Sequence, residues 1–243
     1  MRARARTRLV TTLAVGIVAG WLMIACAPVG MTPAYADDTL DAQQLVERAR
    51  LAFDAFLADT EMSGNLRAIL PQAKAVLIYP QVLRLAFFVG GSGGSGVLLA
   101  HDEHANTWAG PAFYTIGQAS VGVQIGGDTA DVVLVALTDR GLSALLSTSA
   151  KLGADVSVSL GPIGMGAEAA TANLSVDVVS YSRTKGLYAG MSVDGAVVAT
   201  RDALNHAYYG REVTPVAILI GREVTNPHAN PLIEAVAKAT SGS

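Results

Sequence analysis

The sequence predicts an α+β fold: a single domain dominated by a Gly-rich antiparallel β-sheet, curled towards a barrel, with flanking N- and C-terminal helices. Three observations carry this. Helical periodicity marks the segment near 40–57 and returns after residue 200. Between 74 and 200 the apolar runs are short, rich in Val and Ile, and several alternate with polar residues or glycine. No linker interrupts the chain and no solenoid-length repeat is visible, so one domain accommodates all of it.

The first helix is expected over 40–57. Leu45, Ala49, Ala52, Phe53, Phe56 and Leu57 recur at i, i+3/i+4, i+7 spacing, Asp41, Glu47, Arg48 and Asp54 fall largely elsewhere, and Thr39 or Asp38 is placed to cap it. A shorter helix at 65–70 ends before Pro71. Strands are expected to begin at 74–79 and to follow at 85–89, 96–100, 113–117, 121–125 and 132–138. Val121, Val123 and Ile125 alternate as one buried face, whereas 132–137 is apolar throughout and reads as buried on both faces. Asp139 can cap a helix through Leu142, Leu145 and Leu146. Further strands are expected around 156–160, 175–181 and 193–200. Thr214-Pro215 and Asn230-Pro231 then each set a capping residue before Pro at a first helical position.

The N-terminus reads as a targeting segment over 1–36. Arg2, Arg4, Arg6 and Arg8 precede an uncharged run from Leu9 to Val29, and Ala34-Tyr35-Ala36 offers a cleavage site. Met23-Ile24-Ala25-Cys26 competes as a lipobox, in which Cys26 would be lipidated and become the first mature residue. Cys26 is the single cysteine, so neither a disulfide nor a thiolate metal site is expected. The remaining domain, 37–243, has thirteen Lys and Arg against twenty Asp and Glu, a net charge of −7. With no basic run, it is a poor nucleic-acid binder, since phosphate neutralisation dominates that affinity. Aromatics are too scarce for the two girdles of a transmembrane barrel.

Three motifs invite catalytic or ligand chemistry. Gly91 to Gly96 fits G-x-G-x-x-G, but Val97-Leu98-Leu99-Ala100 follows where the dinucleotide fingerprint needs a helix, and no lysine serves as a phosphate-loop residue. No cofactor is expected. Gly90 to Gly94 fits G-x-S-x-G around Ser92, with Asp177 or Asp194 and then His206 in a permissible order, which makes a serine hydrolase the catalytic alternative. The missing helix removes the elbow that exposes such a serine. The run therefore reads as a structural glycine bend. His101-Asp102-Glu103-His104 has metal-ligating residue types, but in a strand its histidines would face opposite ways, so a solvated loop and no metal are expected.

GGSGGSGVLLA, PAFYTIG, the VGVQIGG run, KLGADVSVSLGPIGMGAEAAT, YSRTKGLYAG and AYYGREVTP together resemble the SYLF domain family of lipid-binding proteins, over roughly 70–240. The resemblance implies a non-enzymatic domain with phospholipid or a membrane surface as partner. Eukaryotic relatives bind phosphoinositides and some have actin-related roles. The export signals point instead to an envelope phospholipid, in the periplasm or on a membrane-anchored lipoprotein, and the resemblance favours the lipidated route through Cys26. An apolar surface would take acyl chains while a small basic patch holds the phosphate. Arg183 and Lys185 at a strand end, with Arg201 and Arg211, are the candidates. A structural or interaction protein of the envelope is the other alternative.

Overall fold

The structure, a computed structural model, describes residues 34–86, 89–121, 126–161, 176–184 and 192–241. Cys26 with its lipobox, Lys185 and most of the predicted 121–125 strand lie outside them, whereas the Ala34-Tyr35-Ala36 cleavage site falls in the first turn of the first helix. Eight strands form one open, curled sheet. They are β1 (Ala75–Ala86), β2 (Val89–Asp102), β3 (Thr107–Val121), β4 (Gly126–Ala136), β5 (Ser149–Lys151), β6 (Val158–Leu160), β7 (Val178–Thr184) and β8 (Val197–Thr200), in the spatial order β5-β8-β3-β2-β1-β4-β7-β6. Neighbours are antiparallel except β6 and β7, which run parallel. The sheet is a half-barrel whose three-residue edge strands do not meet.

Both faces carry core. On one, α1 (Ala34–Ala58), α2 (Ser63–Ile69), α4 (Asp202–Tyr209) and α6 (Asn230–Thr240) pack onto Val76, Ile78, Val97, Phe113, Val133 and Tyr181. This is the helical face. On the other, α3 (Asp139–Leu146) and α5 (Pro215–Leu219) contribute Leu145, Ile218 and Leu219 to a second core with Leu77, Tyr79, Leu98, Tyr114 and Leu134. Val132 to Ala136 is consequently buried on both faces, as its unbroken apolar run predicts.

The periodicity of α1 is realised: Leu45, Ala49, Ala52, Phe53 and Phe56 are buried. The expected cap is not. The helix starts before Asp38 and Thr39, and the Thr39 hydroxyl instead donates to the Ala207 carbonyl at 3.2 Å, tying α1 to α4. At α3, Thr138 is the N-cap, accepting from Gly141 N at 3.0 Å, and Asp139 occupies the first turn. Thr214 caps α5 as predicted, accepting from Ala217 N at 3.2 Å. Asn230 lies inside α6; the capping role falls to Asn226, before a 3-10 turn led by Pro227.

The two strands expected at 74–79 and 85–89 fall largely on one strand. β1 is continuous but bulged, its register shifting between Tyr79 and Val82, with Gln81 at φ +61. The Asp131 carboxylate accepts from Gln81 N at 3.2 Å, so the bulge leaves no orphaned amide there. The glycine run is not a bend. Gly90 to Gly96 lies inside β2, paired to β1 on one side and β3 on the other. What requires glycine is lateral: a Cβ on Gly96 would sit 2.5 Å from Ile78 O and collide with the Tyr79 ring, and one on Gly94 would lie 3.1 Å from Val82 Cα. β1 leans across β2 at these points, and no side chain fits between them.

Candidate functional site

The helices cover only the inner half of their face of the sheet. Beyond the β1 bulge the four central strands continue outward, and their registers align the residues in rows. One row on the helical face runs Thr129, Leu83, Gly93, Gly117, Val197, Lys151 across β4, β1, β2, β3, β8 and β5. The next row outward is Gly127, Leu85, Gly91, Ala119. Alternation assigns these to the helical side, because Thr129 and Gly93 each stand four residues from Val133 and Val97 on the same side. Leu83, Leu85 and Val197 are 46 %, 58 % and 41 % exposed. No neighbour comes within 4 Å of a Cβ built on Gly117, and those on Gly91 and Gly93 meet only carbonyls of the sheet itself. Nothing among the described residues lies over this half.

The opposite side of the same strands is polar. Arg84 Nε faces Asp128 Oδ1 at 3.9 Å, Ser92 stands in their row, and Gln118 Nε2 donates to Asp194 O at 2.7 Å. Ser92 is therefore mid-strand, not at a strand–helix turn, and the nucleophile-elbow geometry is absent around it. The Asp177 carboxylate is engaged elsewhere: it accepts from Thr138 Oγ1 at 2.6 Å and from Ser157 Oγ at 2.7 Å, bonds that hold it below the ordinary carboxylate range.

Where the helical cover ends, the row just inside the bare half carries Ser95 on β2 and Asp131 on β4, either side of the bulge and two strand spacings, about 10 Å, apart. Each holds an arginine from a distant part of the chain. Arg201 Nη1 donates to Ser95 Oγ at 2.7 Å. Arg183 Nη2 donates to Asp131 Oδ2 at 2.9 Å, and its guanidinium lies 5.9 Å from the centre of the Phe56 ring near the end of α1. Asp131 is buried, so Arg183 neutralises an otherwise uncompensated carboxylate, whereas Arg201 leans on a neutral hydroxyl and keeps its full charge. Arg183 and Arg201 are thus brought to one rim although four strands separate β7 from β8.

Arg211 stands apart from them. It pairs with Glu223 at 3.5 Å beside an open cleft of about 980 Å³ next to α5, whose Ile218 and Leu219 belong to the second core. His206 lines this same cleft. The His101 to His104 segment is the β2–β3 hairpin: His101 stacks on Trp108 with 4.9 Å between ring centres, and Asp102 accepts from His104 N and Ala105 N. Among the described residues no group of three His, Cys, Asp or Glu side chains could hold a metal ion.

The sequence reading missed Leu83, Leu85, Val197, Lys151, Ser95 and Asp131. The Leu83-Arg84-Leu85 alternation was the available signal for the first two. The others depend on which strands are neighbours, and strand order is not written in any local pattern.

Residues 117–239 match the Ysc84 family, described as Las17-binding protein actin regulator. Protein YSC84 of Saccharomyces cerevisiae is 35 % identical over 170 residues, covering 68 % of this chain and 36 % of that protein. LAS seventeen-binding protein 3 of the same species is 34 % identical over 168 residues, with the same coverages. Human SH3 domain-containing YSC84-like protein 1 is 29 % identical over 168 residues, 68 % of this chain and 48 % of that one. The chain belongs to the Ysc84, or SYLF, family. It spans between about a third and a half of the length of these relatives.

Proposed function

We propose that this chain is a non-enzymatic lipid-binding domain of the bacterial cell envelope, taking phospholipid onto the bare half-sheet with rim arginines on the phosphate. One observation carries the reading: three exposed large apolar side chains share a floor that no described residue covers, with Lys151 at one edge and two guanidinium groups at its inner end. Apolar surface gains from leaving water in proportion to its area, and an arginine offers a phosphate paired donors. The domain's net charge of −7 repels anionic membranes as a whole, so attraction must be local and screened over about 8 Å at physiological salt.

Co-sedimentation with phosphatidylcholine vesicles containing phosphatidylglycerol tests this. Leu83 and Leu85 are each about half exposed, so burying them is worth roughly 1 kcal/mol apiece, and Leu83→Ser/Leu85→Ser should weaken binding roughly tenfold to thirtyfold. Binding should also fall with salt and with Arg201→Gln, while Arg211→Ala leaves it unchanged. Binding that ignores both the leucine pair and Arg201 rejects the reading.

The export signals of residues 1–36 give this domain access to envelope lipid, with Cys26 the lipidated first residue. Intact mass of the membrane fraction decides the matter: a diacylated start at Cys26 is expected, and a start at Asp37 overturns lipidation. No helix among the described residues is long and apolar enough to cross a membrane. A second reading, a protein partner on the same face, is favoured by the Las17-binding description of the family. It predicts a bare face that ignores lipid yet whose Leu83→Ser/Leu85→Ser variant loses a protein ligand.

A further inference from the structure

Resting on the lipid-binding reading, we propose that the bare half-sheet is a trough for one acyl chain of a phospholipid with a single phosphate. The chain would lie along β2 and β3, and its phosphate would sit at Arg201.

The walls come from exposed apolar side chains. Leu83 and Leu85 stand as a ridge on β1, and Val197 rises from β8 on the far side. Among the described residues, only Gly91, Gly93, Gly117 and Ala119, all exposed, lie between these walls. Wall to wall is three strand spacings, about 14 Å, measured between backbones. From Ser95 to Gly91 the floor runs four residues, about 13 Å, close to the roughly 15 Å of one bilayer leaflet's hydrocarbon. One chain therefore fits lengthwise with its headgroup end at Ser95.

These glycines are otherwise unexplained. Glycine within a strand is destabilising, and it marks a bulge or a close approach by another backbone or a ligand. At Gly94 and Gly96 that approach is β1 itself. At Gly117 there is open space, and at Gly91 and Gly93 only ordinary contact with the sheet, so the fold demands no glycine at any of the three. An occupant that needs a smooth floor supplies the reason.

Charge fixes the direction. At the inner end Arg201 is held by neutral Ser95, while Arg183 is already matched by Asp131, leaving one uncompensated cation on these two tethers. A single monoanionic phosphodiester matches it.

The test separates a seated chain from a face resting on a bilayer. Gly117→Leu adds apolar surface to the face but fills the trough, and its Cβ enters open space. A bilayer-docking face would bind more tightly; a chain-seating trough would bind less. The probe is soluble short-chain phosphatidylglycerol, titrated calorimetrically against the purified protein below the lipid's micelle concentration, with phosphatidylcholine/phosphatidylglycerol vesicles in parallel. Wild type should bind one short-chain lipid per protein. Gly117→Leu should weaken this about tenfold, equivalent to returning roughly two methylenes to water, at an undiminished melting temperature. Gly93→Leu serves as the second blocking variant and should behave alike. Unchanged or tighter binding by a folded Gly117→Leu overturns the trough. Wild type that binds vesicles but no monomeric lipid also overturns it and leaves the lipid-binding reading standing. Wild type that binds neither removes both.

Discussion

Replacing Gly96 by alanine should be among the most damaging single-methyl additions to this protein. The new Cβ would lie 2.5 Å from the Ile78 carbonyl oxygen and overlap the Tyr79 ring, and both neighbours are fully buried. Neither can give way cheaply. The carbonyl belongs to the paired backbone of β1, and the Tyr79 hydroxyl donates to Thr115 O at 3.3 Å, so moving the ring also breaks that bond. Overpacking of a tight core costs about 1–3 kcal/mol, and here the obstacle is backbone, which puts the cost at about 3 kcal/mol. For a domain of this size that lowers the melting temperature by roughly 6–12 °C. Gly117→Ala, with no atom within 4 Å of its Cβ, should be neutral or stabilising by roughly 0.5 kcal/mol, since it removes glycine's excess unfolded-state freedom. Urea denaturation with matched thermal melts reads both. A Gly96→Ala protein melting within about 2 °C of wild type would refute the account of the glycine run as a crossing point between strands.

Acid sensitivity should concentrate at Asp177. Its pKa is lowered, chiefly by the Thr138 hydroxyl and then by Ser157, so its contribution is present above the unfolded carboxylate value of about 3.9 and is lost as pH falls through the lowered folded value. Asp177→Asn should flatten the acid limb of a urea-midpoint series below roughly pH 4, and an unchanged limb would remove Asp177 from the explanation. Arg183→Ala strands the buried Asp131 carboxylate and should cost about 2 kcal/mol, part of which Asp131→Asn in the same chain restores; equal stability of the single and double variants would show that the pair is not coupled. Ser92→Ala should leave both lipid binding and melting temperature at wild-type values, and a loss of lipid binding there would reopen the polar side of the sheet as a site.

What the sequence made legible was periodic and local. The 3.6-residue spacing of Leu45, Ala49, Phe53 and Phe56 marked the helix on the sheet, and the unbroken apolar run of β4 marked a strand covered on both sides. The Gly90 to Gly96 run misled because glycine removes the side-chain alternation by which a strand is recognised. Its explanation, Tyr79 and Val82 leaning across, comes from the neighbouring strand. The basic residues were legible as residues but not as a place. Arg183 and Arg201 reach one rim through a strand order in which β7 and β8 are far apart, and Arg211 follows α5 to the other side of the sheet. Nor could local sequence show that Arg183 is bound to a buried acid, so that removing it perturbs stability as well as any ligand.

The bulge at Pro80-Gln81 decides which way this protein shows its oily side. Before it, Leu77 and Tyr79 point to the second core and Ile78 to the helices; after it the parity is reversed, so Leu83 and Leu85 emerge on the helical side and Arg84 on the other. Loss of one codon at Gln81 would remove the bulge, keep Tyr79 and Val82 opposite Val132 and Ala130, and leave Leu83 and Leu85 on the side they now occupy. If the same residues paired as an unbulged strand, Arg84 would be aimed at the leucines' present place, and the leucines into the company of Asp128 and Ser92. The polarity of this half-sheet therefore hangs on one extra residue being taken up as a bulge instead of being paired.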